Sequence, residues 1–295
     1  MALKIAFGMI VFEGDYVLKE CLESVYPYAT QILISEGPVR YWQDKGFTTS
    51  TDKTNDILHS FPDPENKITI VHGQFEEKDE ECRAYMPYLK DDIDYIWNLD
   101  SDEIFKGEDI EKLVQVLEEE KYTSVGVRSC SFYGGFDHYI GGFEQMPDNF
   151  LRIFKVYPGA NWLTHRPPTI IAPEGVETLP DKHLDSETLW EKHGVQMYHY
   201  SYVFPTQVKN KLEYYKAKVS MQHCHPNYFN EIFLPWIAGN KEVEQTWQGV
   251  HEFNPGIRMH SFTEKFTGSH PEAIVKGMPD LKRRLDEESR RFLEE

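Results

Sequence analysis

Three carboxylates fall within four positions in Asp100-Ser101-Asp102-Glu103, directly after the strand-like run Tyr95-Ile96-Trp97-Asn98-Leu99. Acids this close repel one another unless a cation neutralises them. Hard divalent cations such as Mg²⁺ and Mn²⁺ take oxygen ligands and also bind diphosphate oxygens. A strand that delivers Asp100 and Asp102, one residue apart, to its carboxyl end therefore reads as a divalent-metal site. The competing reading is a solvated acidic turn capping the helix that begins near Lys106. The apolar strand in front of the cluster favours the metal.

Twelve histidines are present, and most histidines in a globular chain lie on the surface or in a satisfied core. Two stand out by context. His165 opens the run His165-Arg166-Pro167-Pro168, and His199 sits in the apolar run Met197-Tyr198-His199-Tyr200-Ser201-Tyr202 ahead of a break at Pro205. His223-Cys224-His225 has metal-like residue types, but adjacent positions point apart on a helix or a strand alike. The run Glu76-Glu77-Lys78-Asp79-Glu80-Glu81 reads as a solvated helix face.

The elements that must position these groups alternate. Residues 4–11, 31–35, 67–71, 95–99 and 124–129 have strand character; residues 16–25, 51–61, 75–89 and 109–120 have helical spacing. This rhythm predicts an α/β fold, a mostly parallel sheet with helices on both faces. Ligands of such sheets bind at the carboxyl ends of the strands, where the acids lie. From about Phe132 the rhythm gives way to an irregular, aromatic and proline-rich part. Helices are expected over 207–219 and 278–295.

With 40% apolar residues, the 295-residue chain can bury a sizeable core, and its 17 Tyr, 18 Phe and 6 Trp suit a sugar- or base-binding cleft. The net charge of −18 disfavours a protein that coats phosphate backbones. Cys21, Cys82, Cys130 and Cys224 show no paired spacing, which argues against a disulfide framework and for a reducing, cytoplasmic setting. No apolar stretch approaches the length of a membrane span, and the apolar start reads as a first strand rather than a signal peptide.

The opening Ile10-Val11-Phe12-Glu13-Gly14-Asp15-Tyr16-Val17-Leu18-Lys19-Glu20-Cys21-Leu22-Glu23-Ser24-Val25 resembles the first strand–helix unit of family 2 glycosyltransferases, of GT-A fold. Ile32-Leu33-Ile34-Ser35-Glu36-Gly37 resembles the second strand with its acidic end, and Ser50-Thr51-Asp52-Lys53-Thr54 the following helix start. Arg83 falls where the family often carries an arginine before the metal strand. The similarity is clear over residues 1–105 and thinner beyond. There, Phe150-Leu151-Arg152-Ile153-Phe154-Lys155-Val156-Tyr157-Pro158-Gly159 is similar to a stretch that, in one branch, leads into a His-Glu pair. This chain keeps the histidine, His165, and has Arg166 in place of the glutamate.

The resemblance implies a metal-dependent, inverting transfer of sugar from a nucleotide-diphosphate sugar, with UDP expected, to an acceptor hydroxyl. Asp100, Asp102 and, as a late histidine ligand, His199 would hold Mn²⁺ or Mg²⁺. Glu36, Asp52, Arg83 and Asp100 would contact the donor. His165 is expected in the active site, and Asp148, Glu174, Glu177 or Asp185 as the base, with Asp148 and Glu174 preferred. A catalytic domain would span 1–205, with a nucleotide-sugar-binding half (1–130) and an acceptor part (131–205); a helical extension (206–295) would pack on it. The acceptor is open: glycan, lipid-linked sugar, protein or a modified DNA base, the last disfavoured by charge. The rivals are a phosphohydrolase with a D-x-D motif, which wants it on the first strand; a nucleotidyltransferase, which wants a glycine-rich loop after that strand; and a non-catalytic carbohydrate-binding relative.

Overall fold

The computed structural model describes residues 3–217, 223–253, 258 and 260–294. Its first strand, β1 (Ile5–Val11), is buried along its whole length. Ile5, Phe7, Met9 and Val11 enter one core layer, while Ala6 and Ile10 enter another. A strand covered on both faces must divide its side chains in this way. After α1 (Leu18–Val25), β2 (Gln31–Glu36), the short α2 (Arg40–Gln43), α3 (Thr54–Ser60), β3 (Ile68–His72) and α4 (Lys78–Tyr85), the chain reaches β4 (Tyr95–Asp100). These four strands are parallel in the order β3-β2-β1-β4.

Next come β5 (Glu103–Ile104), α5 (Gly107–Glu120), β6 (Ser124–Gly126), β7 (Arg128–Tyr133), β8 (His138–Ile140) and β9 (Leu151–Lys155). A hairpin of β10 (Asn161–Thr164) and β11 (Thr169–Ile171) follows, then β12 (His183–Leu184), α6 (Ser186–His193), β13 (Gln196–Tyr202) and α7 (Pro205–Lys216). The chain ends through the short α8 (Leu234–Ile237) and α9 (Val243–Thr246), β14 (Thr263–Lys265) and α10 (Glu272–Glu294). Strand β9 enters the main sheet antiparallel between β4 and β6, and β12 closes that edge. A second sheet has the order β14-β8-β7-β13-β5. Residues of α1, α5 and α10 share the core on one face of the main sheet, and residues of α4 and β10 that on the other.

The expected α/β architecture holds, and element ends move by a few residues. The run 124–129 is a larger departure. It forms two strands, because the backbone passes from one sheet to the other at Val127, whose N–H donates to the Phe150 carbonyl. The last part of the chain is not only helical: β14 pairs with β8. The closing helix begins at Glu272 rather than at the expected residue 278, so Pro279 lies inside it. Of the expected helix over 207–219, residues 218 and 219 lie outside the described residues, as does residue 295.

Two connections aim the site. After β2, Gly37 has φ 149° and a Cβ there would meet the Gly73 carbonyl oxygen at 1.9 Å, so the chain leaves the strand where only glycine fits. Strand β13 runs antiparallel to β5 with His199 opposite Glu103, and the Tyr200 N–H donates to the Asp102 carbonyl at 2.8 Å. The acid-bearing turn is thereby tied to a strand nearly a hundred residues away in sequence.

Candidate active site

The three acids at the end of β4 turn to different partners. Asp100 Oδ2 accepts from Arg166 Nη2 at 3.0 Å and from Arg152 Nη2 at 3.5 Å, while its Oδ1 lies 3.8 Å from His165 Nε2. Asp102 Oδ2 accepts from Gln207 Nε2 at 2.9 Å, and its Oδ1 stands 3.5 Å from His199 Nε2. Glu103 is fully buried; it takes Arg152 through both Nε and Nη2 and accepts the Asp100 N–H at 3.1 Å. A buried charge is tolerable only with such a partner, so the Glu103–Arg152 pair fixes the turn rather than offering ligands. Burial opposes ionisation of Asp100, but the nearby His165 ring and the charges of Arg166 and Arg152 outweigh it. They hold the carboxyl well below the usual range.

The protons around His199 can be assigned. Ser131 Oγ lies 2.6 Å from Glu144 Oε2, 2.8 Å from Ser129 Oγ and 3.4 Å from His199 Nδ1. An ionised carboxylate only accepts, and burial of Glu144 is outweighed by His251, which pulls its pKa down to about 2. The Ser131 proton therefore goes to Glu144, and Ser131 accepts from Nδ1–H of His199. Neutral His199 then presents a bare Nε2 lone pair to the Asp102 carboxylate at 3.5 Å. Two lone pairs so placed call for a positive charge between them, a proton or a metal ion. Burial works against a charged His199, but Asp102, Glu103 and Glu144 raise its pKa. Carboxylate and imidazole together are a donor set suited to Mn²⁺, so Asp102 and His199 fit a divalent cation. Asp100, turned to Arg166, does not stand with them: among the described residues no group of three or more His, Cys, Asp and Glu side chains is arranged to hold a metal.

His165 lies beside Asp100, its Nε2 3.8 Å from Oδ1. It is 4% exposed, its backbone N–H donates to Asp79, and burial lowers its pKa to about 4, so the ring is neutral in the physiological range. Glu36 ends β2 at 1% exposure, accepting from Ser50 N–H at 2.8 Å, from Thr49 Oγ1 at 3.1 Å and facing His72 Nδ1 at 2.9 Å. Asp52 accepts from the N–H groups of Thr54 and Asp15 at 2.9 and 3.1 Å; burial pushes its pKa up to about 6. Both order the loop at the carboxyl ends of β1 and β2. Arg83 donates to the carbonyls of Trp162 and Leu163, fastening β10.

Among the described residues, neither of the two preferred bases makes a hydrogen bond or ion pair to this group. Asp148 accepts the Ser186 N–H at 3.0 Å and pairs with His183 at 3.2 Å, at the start of α6. Glu174 is exposed on the turn after β11, at the open end of the hairpin whose closed end carries His165 and Arg166. The four residues of β10 hold the two ends roughly 10 Å apart. Sequence reasoning gave no role to Arg152, Arg166, Gln207, Ser131 and Glu144. Only Arg152 carried a signal: a charge between Leu151 and Ile153 in an apolar strand needs a buried partner.

A mostly parallel α/β sheet with an Asp-x-Asp turn at the end of its central strand, and the chain folded back over it, is the arrangement expected of the GT-A fold. Residues 48–166 match the family model described as glycosyl transferase family 2, a span from the loop before α3 to Arg166. That segment, about two fifths of the chain, is thus similar to family 2 glycosyl transferases. No curated protein matches it. Among solved structures, S. aureus TarS 1-349 is 11% identical over 52% of this chain and 47% of that one, with a TM-score of 0.37. The same fragment in complex with UDP-GlcNAc is 14% identical over 45% and 36%, at 0.34. A 4-diphosphocytidyl-2C-methyl-D-erythritol synthase from Anaerococcus prevotii is 13% identical over 52% and 70%, at 0.31. The aligned part is under half the length of either TarS chain. Among the described residues no helix is long and apolar enough to cross a membrane.

Proposed function

We propose that this chain transfers a sugar from a nucleotide-diphosphate sugar to an acceptor hydroxyl, with inversion and with help from Mn²⁺ or Mg²⁺. One observation carries the reading: Asp102, at the end of β4 in the segment matched to family 2 glycosyl transferases, faces Nε2 of His199, which lies beyond that segment, across 3.5 Å. Asp102 and His199 are the residues that would hold the cation, joined by Asp100. When bound, the ion neutralises charge on the departing diphosphate. The rest falls to the chain itself. Ser131 keeps His199 Nε2 bare, Gln207 fixes the Asp102 carboxylate, and Glu36 and Asp52 hold the loop against which the nucleoside end of the donor would rest. Four free cysteines agree with residence in a reducing compartment, and we infer a cytoplasmic enzyme.

Calorimetric titration with UDP and other nucleoside diphosphates, with Mn²⁺ and with EDTA, tests this, followed by a panel of nucleotide sugars for turnover. One nucleotide should bind in the presence of Mn²⁺. D102A should lose that binding while keeping a cooperative melt. Failure of every nucleotide to bind, or wild-type turnover in excess EDTA, would overturn it.

A further inference from the structure

The two arginines on Asp100 are not equivalent. Arg152 is 3% exposed and committed: Nε and Nη2 are on Glu103, and Nη1 is on the Leu151 carbonyl. Arg166 is 54% exposed and, among the described residues, makes one hydrogen bond, from Nη2 to Asp100 Oδ2 at 3.0 Å. A guanidinium has five N–H donors in a planar fork. Arg166 therefore reaches the strand-end turn from the closed end of the β10–β11 hairpin with most of its fork uncommitted.

The charges next to it allow only certain occupants. Arg152 balances Glu103, and Arg166 balances Asp100. A divalent cation shared by Asp100 and Asp102 would add two positive charges beside the Arg166 guanidinium, which repels them at close range. Either Arg166 leaves Asp100, or an anion arrives with the cation. A diphosphate supplies both conditions, because it binds the cation through its oxygens and matches the guanidinium fork in a bidentate contact that lysine cannot copy.

We propose that Arg166 is a diphosphate-binding residue of the donor site, and that without donor it occupies Asp100 in place of the cation. Loading then exchanges partners: Asp100 passes from Arg166 to the metal, and Arg166 passes from Asp100 to the phosphate oxygens. Nucleotide and metal bind cooperatively as a result, each tightening the other by the same factor. The inference rests on the donor reading above and adds a residue and an order of events to it. It also accounts for the absence, among the described residues, of a three-ligand arrangement at Asp100, Asp102 and His199.

The test measures Mn²⁺ affinity from the free-ion electron paramagnetic resonance signal, alone and with UDP or inorganic pyrophosphate, for the wild type, R166A and R166K. In the wild type, UDP or pyrophosphate should tighten Mn²⁺ by about tenfold or more. R166A should bind Mn²⁺ alone more tightly than the wild type, because Asp100 is released, yet bind UDP about 10–100-fold more weakly, the value of a charge-assisted contact. R166K, with charge but no fork, should keep the competition for Asp100 and recover only part of the UDP affinity. Wild-type binding of neither UDP nor pyrophosphate would sink the donor reading and this proposal together. Wild-type binding that R166A leaves unchanged would sink the proposal alone, and so would a loss of Mn²⁺ affinity in R166A, which marks a merely structural arginine.

Discussion

A single proton decides what His199 can bind. Ser131 has one hydrogen to give, Glu144 Oε2 takes it at 2.6 Å, and the imidazole is left with Nδ1–H inward and Nε2 bare toward Asp102. Replacing Glu144 by glutamine puts an amide that can donate where a carboxylate only accepted. Ser131 can then donate to Nδ1, and the Nε2–H tautomer points at Asp102. E144Q should weaken Mn²⁺ about 10–100-fold, the usual cost of disturbing the partner of a metal-binding histidine. Long-range proton–nitrogen spectra, recorded as pH is raised until the ring nitrogens report the neutral form, should show the tautomer exchanged; an unaltered His199 tautomer would refute the assignment. Asp100, Asp102 and His199 stand out in the sequence because each sits in or after a strand-like run. Arg166 does not, since an arginine among prolines reads as surface, and Glu103 stands out only as one acid of the cluster, because its partner Arg152 lies 49 residues away.

At the scale of elements, β1 to β4 are legible because strands buried on both faces read as short apolar runs between turn residues. Residues 124–129 mislead because one such run serves two sheets, and a change of sheet at Val127 leaves no mark in hydrophobicity. The loop from Thr49 to Asp52 has a different origin. Its shape comes from a buried carboxylate, Glu36, that accepts the Ser50 N–H and the Thr49 hydroxyl, with Glu13 on Thr51. Removing Glu36 should loosen the nucleoside end of the site and leave the reacting end intact. For E36A the donor KM should rise about tenfold with kcat within about threefold, the pattern of a lost uniform binding contribution. Steady-state kinetics with varied donor give the answer, and a fall in kcat at constant KM would contradict it.

Over the whole molecule, the expected division at residue 205 meets a continuous polar network. Gln207 and Lys211 of α7 reach Asp102 and Glu252, and Glu144, His251, Glu252 and Tyr202 are linked by contacts of 2.8–3.0 Å. Residues on both sides of the division therefore build one buried cluster, which no local pattern in the sequence announces. Its charges make folding pH-dependent. Burial opposes ionisation of Glu144, but His251 and the neighbouring cations lower its pKa from 4.5 to about 2; Glu252 is lowered likewise, and His251 is raised by Glu252 and Glu144 against the pull of burial. A carboxyl depressed on folding contributes stability that is present above about pH 4.5 and lost as pH falls toward 2, at most about 3 kcal/mol for Glu144. A raised histidine contributes stability that is complete below its unfolded value of about 6.5 and lost as pH climbs through its folded value. The cluster should therefore support the fold most between about pH 4.5 and 6.5. The net charge of −18 adds self-repulsion that eases in mild acid, in the opposite direction. That contribution is shared by all variants and screened by salt, so differences isolate the cluster. The melting temperature of the wild type minus that of E144Q, followed in about 0.15 M salt, should shrink steadily as pH drops from about 5 to 3. A difference that stays constant over this interval would mean that Glu144 is not held ionised by His251.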